Sequence, residues 1–157
     1  MIRSIIVALA LIACVLFVVH DADALVGVGF KLGAGLIPDG KIPGGMVAVE
    51  LGPLSPFVEA FRKSGTTTVN LGGNLIFKLP LPLVKPYGGA GGGLSRISGG
   101  GASRSRGLFD LVAGADVKLP GAVGVFGQIK YLYTFGSGTF LLRDVAFQAG
   151  VVFSLGI

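Results

Sequence analysis

Apolar side chains alternate with polar or small ones along most of the chain after residue 25. The alternation is clearest in five segments, residues 26–35, 68–79, 109–119, 123–135 and 144–157. Successive side chains of a β-strand point to opposite faces, so a period of two predicts strands. Each segment keeps this period over about ten residues or more, the length that a tilted strand needs to cross a membrane.

Three further segments complete the pattern. Residues 44–52 alternate more weakly. In residues 56–63 each face carries a charged residue beside apolar ones, so the facing of residues 57–62 stays open. Residues 84–95 place glycine at three successive positions of one face, 89, 91 and 93. We attribute these glycines to a narrow barrel, in which long side chains from facing strands need the space.

The chain is therefore predicted to be all-β, an eight-stranded antiparallel up-and-down transmembrane β-barrel. The predicted strands lie near residues 26–36, 44–52, 56–63, 67–79, 84–95, 108–119, 122–135 and 142–157. Short proline-bearing turns at 52–56, 80–83 and 120–121 alternate with mostly longer or more polar loops at 38–44, 64–66, 97–107 and 136–141. Short turns at one end and longer loops at the other are typical of outer-membrane barrels.

The two faces of the predicted strands differ in charge. The apolar face carries almost none, and we expect it to contact lipid. The polar face is predicted to form a lumen network of Lys31, Glu50, Asn70, Asn74, Lys78, Lys85, Asp110, Asp116, Lys118, Gln128, Lys130, Asp144 and Gln148. Because this set mixes signs, a closed lumen can pair its ions. Lipid also requires closure, since an open sheet edge leaves backbone groups without hydrogen bonds.

Composition bears on which face is outside, because a soluble barrel would show the same alternation with its faces exchanged. Charged residues make up 13% of the chain, whereas soluble domains carry about a quarter. This deficit favours a lipid-covered exterior.

The first residues predict a secretory signal peptide. A single positive charge, Arg3, precedes an uncharged apolar run over residues 5–19, and the segment ends in Ala22-Asp23-Ala24. This order is that of a signal peptide cleaved after Ala24. Two alternatives stay open: an uncleaved anchor, and lipoprotein processing at Cys14. The predicted division is 1–24 for the signal peptide and 25–157 for the barrel.

Cleavage would remove the single Cys and the single His and leave a net charge of +6, from 12 basic (13 − 1) and 6 acidic (8 − 2) residues. The remaining chain has no residue for a disulfide, for a Cys or His metal site, or for a Ser-His-acid triad. Asp110 and Asp116 share a face but lie about 20 Å apart along a strand, too far for joint acid–base catalysis. We predict no catalytic residue, no metal and no cofactor.

Arg96, Arg104 and Arg106 cluster at the longest predicted loop. One interpretation is a solvated loop. The other is contact with lipopolysaccharide phosphates, to which the forked guanidinium group is suited. Nucleic acid is not an expected partner, because no regular element carries a basic stripe.

Three features carry a resemblance to a known family: the signal peptide, the segment VKPYGGAGGG at residues 84–93, and the closing VAFQAGVVFSLGI at residues 145–157. The chain resembles the small eight-stranded outer-membrane barrels of Gram-negative bacteria, the OmpA-barrel and OmpX-like superfamily. It departs from that pattern in ending on Ile157, where an aromatic residue is usual. The resemblance implies a monomer in the outer membrane, in contact with lipid and lipopolysaccharide and inserted by the barrel-assembly machinery.

Three functions remain after these exclusions. The first is a structural or surface-interaction barrel with a lumen filled by side chains, and it is favoured because eight strands enclose only enough space for side chains. The second is a narrow porin-like channel for small solutes. The third is a soluble secreted barrel that binds an apolar ligand.

Overall fold

The computed structural model of the protein describes residues 27–135 and 145–156. The predicted signal peptide, Asp144 and Ile157 lie outside these described residues. Eight strands follow one another along the chain: β1 (Gly27–Ile37), β2 (Ile42–Leu51), β3 (Leu54–Lys63), β4 (Thr66–Lys78), β5 (Val84–Gly99), β6 (Ala102–Lys118), β7 (Val123–Thr134) and β8 (Val145–Gly156). No helix within residues 27–135 and 145–156 is long and apolar enough to cross a membrane.

The strands form one closed antiparallel barrel. Each strand pairs with its neighbours in chain order, and β1 pairs with β8 to close the sheet. The predicted all-β fold with eight antiparallel strands is thus confirmed. Every edge is paired, so no row of backbone N–H and C=O groups is left open at the side of the barrel.

The strands are staggered around the barrel. From Lys31, the successive partners through β2 to β7 are Ala48, Phe57, Gly72, Gly93, Leu108 and Thr134. In the other direction the partners are Val152 on β8 and Gly124 on β7. The two paths meet on β7 ten residues apart (134 − 124). This stagger tilts the strands and brings residues from distant strands to the same level of the interior.

Burial shows which face is outside. Val125, Ile129 and Phe147 are 41%, 48% and 48% exposed, whereas Lys130 and Gln148 are 1% and 4% exposed. The apolar face therefore forms the exterior, and the polar face forms the interior. A soluble barrel, which would bury the apolar face, has the opposite arrangement.

The interior also contains apolar residues, which the alternation did not predict. On β3, Phe57, Glu59 and Phe61 point inward, and this settles the facing that the sequence left open. Other inward apolar side chains include Met46, Ala48, Leu108, Phe126, Leu132 and Val152. The barrel is therefore filled by a mixture of ionic, amide and apolar side chains, as expected for eight strands.

The predicted loop at residues 97–107 is wrong. Strand β5 continues to Gly99 and β6 begins at Ala102, so the connection is a two-residue turn at Gly100 and Gly101. Both glycines have positive φ, 58° and 81°, as a type I′ hairpin turn requires. Side chains of Ser, Gly and Arg gave no hydrophobic pattern here, but backbone pairing does not need one.

The predicted contrast in loop length is also wrong in part. Beyond the turn at 100–101, residues 64–65 form a second two-residue turn, and residues 38–41 form a short connection. At the opposite end, where β1 begins and β8 ends, the connections cover residues 52–53, 79–83 and 119–122. We call the end with the turns at 64–65 and 100–101 the hairpin end, and the end at which β1 begins and β8 ends the terminal end. Among the described connections, those at the hairpin end are no longer than those at the terminal end, and what distinguishes the hairpin end is the length of β5 and β6. The predicted loop at residues 136–141 lies outside the described residues.

Candidate functional site

The structure places most of the predicted lumen network inside the barrel. The residues that point inward and contact one another are Lys31, Glu50, Asn70, Asn74, Lys78, Asp110, Asp116, Gln128, Lys130 and Gln148. Lys85 and Lys118 are exposed at the mouth of the terminal end and do not belong to the buried network. Asp144, also predicted, lies outside the described residues.

Four ions form a closed ring toward the terminal end, which we call the ion quartet. Lys31 Nζ lies 3.0 Å from Glu50 Oε1 and 2.7 Å from Asp116 Oδ1. Lys78 Nζ lies 2.7 Å from Glu50 Oε2 and 2.6 Å from Asp116 Oδ2. Each lysine thus bridges the same two carboxylates, and the quartet is neutral. Four strands, β1, β2, β4 and β6, are cross-linked through it.

Aromatic rings cover the quartet. Lys31 Nζ lies 4.0 Å from the ring centroid of Tyr87 and 5.0 Å from that of Phe126. The hydroxyl of Tyr87 donates to Gln128 Oε1 at 2.7 Å. Cation–π contacts are strongest when desolvated, so the rings compensate part of the cost of burying Lys31.

A second cluster lies further toward the hairpin end and is centred on Lys130. Its Nζ lies 3.4 Å from Glu59 Oε2, 3.3 Å from Asp110 Oδ2 and 3.1 Å from the ring centroid of Phe57. Lys130, Glu59 and Asp110 are almost completely buried. One cation is therefore shared by two carboxylates, and we call this group the Lys130 cluster.

Amide side chains complete the hydrogen bonding of these carboxylates. Asn70 Nδ2 donates to Glu59 Oε1 at 2.9 Å, and Gln148 Nε2 donates to Glu59 Oε2 at 2.8 Å. With its amide nitrogen turned toward Asp110, Asn74 donates to Asp110 Oδ1 at 2.6 Å. A buried carboxylate is tolerated only when its oxygens find such donors.

An apolar layer lies beyond the Lys130 cluster. Phe61, Leu108 and Leu132 lie two residues further toward the hairpin end than Glu59, Asp110 and Lys130, on the same three strands. All three apolar side chains are buried and belong to one packed cluster. A hydrated ion crossing the barrel would have to lose its water at this layer, at a large cost in free energy. This arrangement disfavours the channel interpretation.

Glu59 is the principal functional residue that the sequence did not assign. The face of Glu59 was left open because each face of residues 57–62 carries one charged residue, either Glu59 or Arg62. The usable signal was the register: Glu59 pairs with Asn70, which the alternation on β4 had already placed inside.

The inward glycines of β5 have a different cause from the predicted one. A Cβ on Gly89, Gly91 or Gly93 would collide with backbone atoms of the neighbouring strand β4. The close approach of these two strands therefore requires glycine. Elsewhere the prediction of space for side chains applies, because a Cβ on Gly33 or Gly114 would lie 2.7 Å from the ring of Phe126 or 2.8 Å from that of Tyr87.

The three predicted arginines lie on strands rather than in a loop. Arg96 is on β5 and its guanidinium donates to Ser103 Oγ at 3.3 Å, while Arg104 and Arg106 are on β6. Arg96 pairs with the exposed Val69 and lies on the outer face, whereas Arg106 pairs with the inward Ser95. The cluster is therefore divided between the two faces of one hairpin.

The network gives no sign of catalytic chemistry. Asp110 and Asp116 belong to separate clusters, and each is held by a lysine. Within residues 27–135 and 145–156, no group of three His, Cys, Asp or Glu residues is placed to hold a metal ion.

Comparison with known proteins gives similar structures but no similar sequence. No family model matches the chain, and no curated protein sequence matches it. The N-terminal β-barrel domain of Pseudomonas aeruginosa OprF has a TM-score of 0.58 and 14% identity, over 82% of this chain and 97% of that one. Neisserial surface protein A has a TM-score of 0.54 and 17% identity, over 82% of this chain and 95% of that one. At these identities the likeness concerns the fold, and the chain has the closed eight-stranded barrel fold of these two proteins.

Proposed function

We propose that the protein is an integral outer-membrane barrel with a structural or surface-interaction role, and that it is not an enzyme. The observation that carries this proposal is a band of apolar side chains around the exterior while the ions are paired inside. Leu32, Val47, Leu71, Leu75 and Leu94 are all exposed. Soluble monomers rarely expose apolar patches larger than a few hundred Å2, so hydrocarbon is the solvent that suits this surface.

The filled interior supports the structural role over the two alternatives. Both ion clusters and the apolar layer occupy the space in which a solute would pass or an apolar ligand would bind. Each of the buried carboxylates Glu50, Glu59, Asp110 and Asp116 contacts a lysine, and we assign none of them a role as general acid or base. Export by the predicted signal peptide, residues 1–24, would deliver residues 25–157 to the outer membrane as a monomer inserted by the barrel-assembly machinery.

An outer-face substitution tests the membrane assignment. Leu75 is exposed on β4, with the outward apolar residues Leu71 and Phe77 to either side along the strand. We expect Leu75→Arg to lower the free energy of unfolding by about 2 kcal/mol, because a charge on the lipid face must enter hydrocarbon. Urea unfolding from phosphatidylcholine vesicles, followed by heat-modifiable migration on gels, measures the effect.

Leu83→Arg is the matched control, since Leu83 is exposed in the connection 79–83 rather than on a strand. It should change the stability little. Equal effects of the two substitutions would contradict the lipid-facing exterior. The lipid-facing exterior would also be contradicted if the wild-type chain, expressed without residues 1–24, stays in the aqueous fraction when no detergent is present.

The hairpin end is suited to a surface of lipopolysaccharide. Among the described residues it carries Lys41, Arg62, Lys63, Arg96, Arg104 and Arg106 against a single acid, Asp39. On the outer face, Arg62 follows Ala60 on β3 and Arg96 follows Leu94 on β5. The two arginines therefore lie at the edge of the apolar band, where the phosphate groups of a lipid begin. Arg104 and Arg106 lie at a similar level of the β5–β6 hairpin but on its inner face, since their partners are Ile97 and the inward Ser95.

We expect Arg62→Gln combined with Arg96→Gln to weaken lipopolysaccharide binding by about 2 kcal/mol, since each basic side chain near an anionic surface contributes about 1 kcal/mol. The measurement is the rise in thermal stability when lipopolysaccharide is added to the barrel in neutral detergent. Arg104→Gln with Arg106→Gln, which removes the same charge, should cause a smaller loss. An unchanged response in the Arg62 and Arg96 variant would exclude this contact.

A further inference from the structure

The terminal end opens into a cavity lined by three lysines, which we call the lysine vestibule. It has a volume of ≈ 390 Å3, within the range of small-molecule sites. Its lining includes Lys78, Lys85, Asp116, Lys118, Val123 and Val152. The ion quartet lies at its inner side, because Lys78 and Asp116 belong to both.

Backbone hydrogen bonds hold the rim of the vestibule in place. The N–H of Lys118 donates to Leu83 O at 2.9 Å, which ties β6 to the connection 79–83. The N–H of Ser154 donates to Ala122 O at 2.8 Å, which ties β8 to the connection 119–122. The lysine side chains are therefore mounted on a fixed frame, and a ligand need not order the backbone when it binds.

The vestibule has a surplus of positive charge. Lys78 is neutralised by Glu50 and Asp116, and the second oxygen of Asp116 is held by Lys31. Asp116 is the one acidic residue among the described side chains of the lining. The charges of Lys85 and Lys118 are thus left without a counter-ion inside the cavity, and clefts with charge of one sign concentrate ligands of the other.

The spacing of these two lysines suits one oxyanion. Lys85 on β5 pairs with Asp116 on β6, and Lys118 is two residues further along β6 on the same face. Such diagonal neighbours lie about 7–8 Å apart, which flexible lysine side chains span to hold a phosphate between them. Val152, an inward residue of β8, adds an apolar side chain to the lining.

We infer that the lysine vestibule binds an organic phosphate. Lys85 and Lys118 hold the phosphate, and Val152 packs against the organic part. The ligand stops at the ion quartet and does not cross the barrel. The source of the phosphate is either a phosphorylated solute or the headgroup of a phospholipid. This inference concerns the mouth of the barrel alone and holds whichever way the barrel is oriented.

Isothermal titration of the barrel in a neutral maltoside detergent tests the inference, with glycerol 3-phosphate and a short-chain phosphatidylglycerol as the two probes. We expect saturable binding of at least one probe. Lys85→Gln combined with Lys118→Gln should weaken it about tenfold, because two charge-assisted contacts are lost. Heat-modifiable migration verifies that each variant is folded.

Lys41→Gln combined with Lys63→Gln is the matched control, since it removes two lysines at the hairpin end. Its binding should equal that of the wild type. Binding of glycerol 3-phosphate identifies a solute site, and binding of phosphatidylglycerol alone identifies a headgroup site; both support the inference. It is overturned if neither probe binds, or if the two double variants weaken binding equally.

Discussion

Replacing Lys130 with methionine is expected to lower the free energy of unfolding of the barrel by about 3–5 kcal/mol. Lys130 is the shared cation of Glu59 and Asp110, and both carboxylates are almost completely buried. Methionine fills a similar volume but leaves two negative charges without a counter-ion in a medium of low dielectric constant. The loss therefore comes from the uncompensated carboxylates and not from a cavity.

Equilibrium urea unfolding from phosphatidylcholine vesicles measures this loss. Lys118→Met is the control, because Lys118 is exposed at the mouth and should contribute little. Adding Glu59→Gln and Asp110→Asn to Lys130→Met should recover most of the stability, since no buried ion then remains in the cluster. If Lys130→Met proves as stable as Lys118→Met, Lys130 is not the shared counter-ion of the buried Glu59 and Asp110.

Replacing Gly93 with alanine is expected to cost about 3 kcal/mol or more, or to prevent the barrel from closing. The new Cβ would collide with Leu71 O and would lie 2.6 Å from the Cα of Gly72, both on β4. Because both obstacles are backbone atoms, no side chain can turn aside to relieve the collision. Strands β4 and β5 would have to separate, and their ladder of hydrogen bonds would weaken.

Gly88→Ala, on the same strand, provides the control. A Cβ on Gly88 would have Val112 O at 3.8 Å as its nearest neighbour, an ordinary contact. The fraction of refolded chain that shows heat-modifiable migration distinguishes the two variants. Equal folded fractions for Gly93→Ala and Gly88→Ala would mean that the inward glycines of β5 are not required by the closeness of the strands.

The alternation of side chains was sufficient to predict the number of strands, and the low content of charged residues then indicated the outer face. The exterior must match one uniform solvent, so residues such as Val125 and Ile129 follow a simple rule. The interior follows no such rule, because a paired ion and a phenylalanine ring can both fill it. This is why the inward Phe57 and Phe61 misled the assignment of β3 and left Glu59 without a face.

The sequence did not predict which side chains pair inside the barrel, and the reason is geometric. Lys31 and Asp116 lie on β1 and β6, and only the stagger of the closed sheet brings them within 2.7 Å. Composition indicated that opposite charges would pair, but not which ones. The turn at Gly100 and Gly101, in contrast, was accessible, since Gly-Gly is a known type I′ signal.

The pairing of β1 with β8 has a consequence for how the protein is made. The first and last strands of the barrel are neighbours in space, so the sheet cannot close until β8 has been synthesised. Gln148, which donates to Glu59, is on β8. The hydrogen bonds of the Lys130 cluster therefore cannot be completed before β8 is in place. Assembly is thus a late and cooperative event dominated by contacts between distant residues, which fold slowly. Until then the chain carries open strand edges that must be shielded from self-association.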